Sequence, residues 1–112
     1  MTLHRVILEM GAGNDLHGGD YTKAAIRAVE DAIHHSSLLF LRTLGVDKDT
    51  LQVDVTIGVQ KPEEVDVERV KAMLPLGRVT VKSGKGGLDI EDEAIGDLAG
   101  IASAAGEVRI DR

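Results

Sequence analysis

The chain has no cysteine, no tryptophan, two prolines and only two aromatic residues, Tyr21 and Phe40. Without cysteine, disulfides and thiolate chemistry are excluded and a reducing compartment is compatible, so a cytoplasmic location is expected. Two aromatics offer no platform on which bases could stack. A formal net charge of −6 also opposes a phosphate backbone, so no nucleic-acid partner is expected. Long apolar runs are missing too. Leu38-Leu39-Phe40-Leu41 falls far short of the ~18 residues that span a bilayer, and Met1 to Arg5 enters a strand with no signal-peptide pattern. No membrane partner is expected. The core must be built from Ala, Val, Ile and Leu, small side chains that let helices approach a sheet closely and leave stabilisation to subunit contacts.

What is present suits one globular unit. Residues 1–112 read as a single domain, with 43% hydrophobic and 29% charged residues. Leu3 to Met10 alternates, placing Val6, Leu8 and Met10 on one side and Arg5, Ile7 and Glu9 on the other, which predicts a strand with an apolar face. Asp20 is placed as N-cap of a long helix to about Leu44, with Ala25, Val29, Ala32, Ser36 and Phe40 buried. Lys23, Arg27, Glu30 and His34 form its polar stripe, and Gly45 its C-cap. Leu51 to Val59 is the cleanest alternating strand, and Val65 to Leu74 predicts a short helix with Val67, Val70 and Leu74 inward. Pro75 and Gly77 turn the chain into a third strand around Val79 and Val81, and Ser83 to Gly87 reads as a loop or hairpin tip. Glu91 to Ala105 reads as a loop with one helical turn to about Ala99, and a final strand runs from about Ile101 to Ile110.

The expected fold is a two-layer α+β domain, β-α-β-α-β-β, whose mixed four-stranded sheet is covered by helices on one face. Its open face would carry Arg5, Asp54, Arg78, Lys82, Glu107 and Arg109. Those charges are either a solvated surface or pairs formed across a subunit interface or central channel.

Between the first strand and the long helix lies Gly11-Ala12-Gly13-Asn14-Asp15-Leu16-His17-Gly18-Gly19-Asp20. Four glycines, two carboxylates, an imidazole and an amide exceed what a plain turn needs. Three readings are open. In the structural one the glycines turn the chain, Asp15 makes an Asx-type turn and Asp20 caps the helix, which leaves His17 without a task. In the metal reading Asp15 and His17, two apart, point to one side and chelate a cation, but a zinc-type site needs a third ligand. His34 and His35 lie too far along the helix to supply it except from a neighbouring subunit. In the third reading the helix N-terminus receives a small molecule or anion. Lys23 and Arg27 lean toward it, and His17 serves as acid/base oriented by Asp15.

Two lookalikes fail. Gly11-x-Gly13 has Leu16 where a dinucleotide fingerprint needs its third glycine, and Gly84-Lys85-Gly86-Gly87 lacks the upstream glycine and following Ser or Thr of a P-loop.

The run Gly11-x-Gly13-x-Asp15-x-His17-Gly18, followed by Asp20-x-Thr22-Lys23-Ala24-Ala25 and Arg27-Ala28-Val29, resembles a conserved family of bacterial and plant proteins of uncharacterised function defined by a GxGxDxHG motif. The resemblance extends to Pro75-Leu76-Gly77 and Gly86-Gly87-Leu88, and it implies membership without implying an activity. The segment is also similar, remotely, to methylerythritol cyclodiphosphate synthase, whose G-x-G-x-D-x-H Asp and His bind a divalent metal; Asp15 and His17 match them. That family's third ligand is a histidine in an H-A-x-x-D-A-L segment. Arg27-Ala28-Val29-Glu30-Asp31-Ala32-Ile33 is similar but puts Arg27 at the ligand position, and a guanidinium has no lone pair to donate. The departure leaves an arrangement in which Arg27 replaces the cation and pairs with Asp15 or a bound anion. The element order resembles the chorismate-mutase-like architecture of that synthase, whose members are often trimers with sites between subunits.

The sequence therefore predicts a homo-oligomer, in the first instance a trimer, that binds a small polar or anionic molecule at the junction and needs no cofactor. His17 and Asp15 are the candidate catalytic residues, and Gly11, Gly13, Gly18, Lys23 and Arg27 the candidate ligand-binding ones. The alternatives are a divalent-metal-dependent enzyme with Asp15 and His17 as ligands, and an assembly protein whose motif shapes a subunit contact.

Overall fold

The computed structural model describes residues 2–15, 17–34, 45–74 and 77–111. Strand β2 (Gln52–Val59) is the frame. Val53, Val55, Ile57 and Val59, with Leu51 just before it, are buried on one side, as its strict alternation predicts. A turn at Pro62–Glu64 and helix α2 (Val67–Ala72) cross over from β2 to strand β3 (Arg78–Lys85), which pairs parallel with it. The Asp66 carboxylate caps α2 by accepting from Arg69 N at 3.2 Å, and Val70 and Leu74 enter the core.

Strand β5 (Asp97–Asp111) lies antiparallel to β2 through residues 103–109 and to strand β1 (Leu3–Asp15) through residues 100–111. Strand β4 (Leu88–Asp92) continues the lane of β2 by pairing with β5 at residues 97–101. Among the described residues the result is an α+β domain with a mixed five-stranded sheet, β1-β5-β2-β3 plus β4 on β5, and two helices. One more strand is present than the sequence predicts.

Helix α1 (Tyr21–His34) starts at Asp20, whose carboxylate accepts from Lys23 N at 3.0 Å. Ala25, Val29 and Ala32 are buried and Lys23, Arg27 and Glu30 exposed, as predicted, and Ala24 and Ala28 are buried as well. The expected continuation through Ser36 and Phe40 to Leu44 lies outside the described residues, as does Pro75.

Three expectations are corrected. First, β1 runs to Asp15 rather than Met10, and its buried face is the opposite one. Ile7, Gly13 and Asp15 are buried, while Val6, Leu8 and Met10 are 44%, 47% and 67% exposed. The cause is the helix, which needs glycine beneath it. A Cβ on Gly11 would lie 2.4 Å from Ala32 N, and one on Gly13 would lie 2.2 Å from Ala28 N. The covered side is thus the side carrying the glycines, whatever the bulk of the residues opposite. A register shift between Arg5 and Ile7 adds a bulge there.

Second, residues 91–105 are neither loop nor helical turn. They close β4 and form most of β5, around a tight turn at Gly96 (φ 66°) in which Asp92 accepts from Ala94 N and Ile95 N. Their small residues serve the same end as Gly13: Gly100, Ala102 and Ala104 are buried on the helix side of the sheet. Third, Ser83 to Lys85 belong to β3. Only Gly86 and Gly87 connect β3 to β4, and those strands do not pair with each other.

Candidate functional site

The junction residues are held by two separate sets of contacts. Asp15, at the end of β1, has a side chain only 6% exposed. One oxygen accepts from Asp20 N at 2.9 Å, fixing the residue that caps α1. The other lies 3.7 Å from Lys23 Nζ and 3.9 Å from the Arg27 guanidinium, one helical turn apart. Arg27 also donates to Asn14 O at 2.7 Å. Of the residues expected to share one site, Lys23 and Arg27 both reach Asp15.

His17 does not join it. Its side chain is 83% exposed, and its Nδ1 lies 2.8 Å from Asp97 Oδ2. Asp97 Oδ1 accepts from Gly18 N and Leu98 N, each at 2.9 Å. The Gly18 N–H, then the His17 side chain, then the Leu98 N–H hold the Asp97 carboxyl down at about 2. The positive φ of Gly18 (87°) and Gly19 (62°) lets the chain turn between the two carboxylates, and a Cβ on Gly19 would touch Leu98. Gly11 and Gly13, by contrast, sit beneath α1 in contact distance of its backbone.

A third cluster sits beside these, and the sequence gives no sign of it. Asp15, Gly100 and Asp89 form one row across β1, β5 and β4 on the helix side. Tyr21 lies over Gly100 and donates its hydroxyl to Asp89 Oδ2, while the buried Asp89 Oδ1 has no hydrogen-bond partner among the described residues. The bond to Asp89, burial, and then the charges of Asp89, Glu64 and Glu63 push the Tyr21 phenol up to about 12. The protonated phenol therefore favours the fold. This contribution is complete below the ordinary tyrosine value near 10 and is lost as pH rises through about 12. Tyr21 is the single tyrosine in a chain without tryptophan, so an ultraviolet phenolate titration reads it alone. A midpoint near 12 is expected, moving back toward 10 in Asp89→Asn. A wild-type midpoint at the ordinary value would contradict the Tyr21–Asp89 bond.

The charges of the open sheet face pair largely within the chain. Arg109 bonds Asp54 and Glu107, and Arg5 lies 3.3 Å from Glu107. Asp54, Thr56, Thr80, Lys82, Glu107 and Arg109 line a shallow hollow of about 310 Å³.

The donor set does not fit a divalent metal. Asp15 is engaged by a backbone N–H and two cations, and His17 turns its Nδ1 to Asp97. Among the described residues no cluster of three or more His, Cys, Asp or Glu side chains is arranged to hold an ion. No described helix is long and apolar enough to cross a membrane.

A family model described as "Conserved hypothetical protein (Lin0512_fam)" matches residues 5–108. The chain is similar to a protein from Nostoc punctiforme whose crystal structure, at 1.22 Å, is described as that of an FtsZ-like protein of unknown function. The two share 34% identity at a TM-score of 0.83, over 100% of this chain and 99% of that one. No curated protein matches.

Proposed function

The chain belongs to the Lin0512 family of conserved hypothetical proteins, and from that premise we propose that it is a homo-oligomer binding a small polar or anionic molecule where β1 meets α1. The observation that carries this reading is the His17–Asp97 pair. A carboxylate on Nδ1 fixes the tautomer and orientation of the imidazole and leaves Nε2 in solvent, the arrangement of a general acid/base or a polar ligand contact. Asp97 takes the orienting role that the sequence gives to Asp15. Lys23 and Arg27, each about half exposed beside the start of α1, are the anion partners. Gly18 supplies the turn that brings its own N–H to Asp97, whereas Gly11 and Gly13 act by admitting the helix.

The test is thermal-shift screening with inorganic phosphate and small mono- and dicarboxylates. A ligand at a hundredfold excess over its Kd adds about 2.7 kcal/mol, a readily measured shift. The shift should vanish in His17→Ala with the unliganded melting temperature unchanged. A ligand that stabilises the His17→Ala variant equally removes the imidazole from the site.

One set of contacts favours a second reading, in which the motif shapes the fold rather than a ligand. Gly11, Gly13 and Asp15 all hold α1 against β1. In that case His17 and Asp97 merely clip the β4–β5 hairpin to the junction, and no small anion gives a shift that depends on His17.

A further inference from the structure

Sheet pairing puts an apolar band on the face that no described helix covers. Residues opposite one another share a face: Met10 with Ala105, Ala12 with Ser103, Leu88 with Ile101 and Ile90 with Ala99. Leu8, Met10, Leu88, Ile90 and Ile101 are 43% to 67% exposed along this diagonal. With the alanines between them they present on the order of 600 Å² of apolar surface, at the upper end of what a monomer leaves in water.

We propose that this face is covered by a second copy of the chain, the band of one lying against the open face of the other. The proposal rests on the homo-oligomer reading above and assigns its surface. Two observations select this occupant. The band and the adjoining polar panel together approach the ~800 Å² per partner of a standard stable interface, with an apolar centre and a polar rim. Four of that panel's charges are already paired, since Arg5, Glu107, Arg109 and Asp54 close on one another. Like-charge opposition from an identical face is then confined mainly to Arg78 and Lys82 on the edge strand β3, away from the band, although each chain carries −6. A lipid surface fits less well: Glu91, Asp92 and Glu93, exposed at the hairpin end of the band, oppose an anionic headgroup layer.

The full-length chain is followed by sedimentation and light scattering over a range of concentrations. Met10→Lys and Ile90→Lys probe opposite ends of the band, and Lys71→Glu on α2 is the control. The wild type and the control should associate, and each band variant should weaken association at least a hundredfold while circular dichroism and melting temperature stay in place. A wild type that is monomeric throughout overturns both this proposal and the homo-oligomer reading. An oligomer indifferent to both band variants overturns only the assigned surface. Binding to phosphatidylcholine or phosphatidylserine vesicles that depends on Met10 and Ile90, without self-association, would give the face to lipid instead. A monomer that holds a different protein through the same residues also overturns it.

Discussion

A Gly13→Ala variant is expected to lose more than about 3 kcal/mol of stability. The added methyl would sit 2.2 Å from Ala28 N and 2.6 Å from Ala24 O, so it meets backbone that has no rotamer by which to yield. Either α1 lifts from β1, uncovering Ala24, Ala28 and Ala32, or β1 shifts against β5; both cost packed apolar surface. Gly11→Ala, with Ala32 N at 2.4 Å, should behave alike. Gly106→Ala is the control, since nothing lies within 4 Å of its Cβ position; it should stay within about 1 kcal/mol of wild type. Urea unfolding midpoints decide the matter. Equal midpoints for Gly13→Ala and Gly106→Ala would mean that the helix does not rest on the strand.

Asp15→Ala is expected to cost about 2 kcal/mol or more, against less than about 0.5 kcal/mol for His17→Ala. The two residues are neighbours in the motif and opposites in environment, one 6% and the other 83% exposed at the side chain. Removing the Asp15 carboxylate deprives the Asp20 N–H of its acceptor at the point where α1 begins. Lys23 and Arg27 lie about half in water, so their attraction to Asp15 is screened and contributes the smaller share. Asp15→Asn, which keeps an acceptor, should recover part of the loss. Melting curves of the three variants at neutral pH test this, and an Asp15→Ala melt as mild as that of His17→Ala contradicts the capping role. The difference has a practical edge: binding lost in an Asp15 variant can reflect a displaced helix, whereas binding lost in a His17 variant points to contact.

Legibility followed locality. β2 was readable because Val and Ile recur there at period two, and part of the buried stripe of α1 because Ala25, Val29 and Ala32 recur at the helical period. β1 misled because its buried side is partly glycine, which carries no hydrophobic signal, while Val6, Leu8 and Met10 advertise the other side. The same blindness left the opening of β5, from Asp97 to about Ala99, inside a supposed loop. Within the candidate site, the clustering of Asp15, Lys23 and Arg27 was legible, since strand end and helix start are adjacent in the chain. Asp97 and Asp89 were not, because they reach His17 and Tyr21 from 80 and 68 positions away, through a sheet register that no local pattern reports.

The pairing of β1 with β5 also sets a schedule. β1 ends at residue 15 and its only sheet neighbour among the described residues begins at residue 97, a separation of 82 positions. On the ribosome the opening strand can settle against α1, where Asp31 accepts from Ala12 N and Arg27 donates to Asn14 O, but its sheet partner β5 arrives only when nearly everything between has been translated. Folding of such non-local topologies is slow, and for that interval Val6, Leu8 and Met10 are displayed on an unpaired ribbon, which is when the nascent polypeptide is most in need of a chaperone.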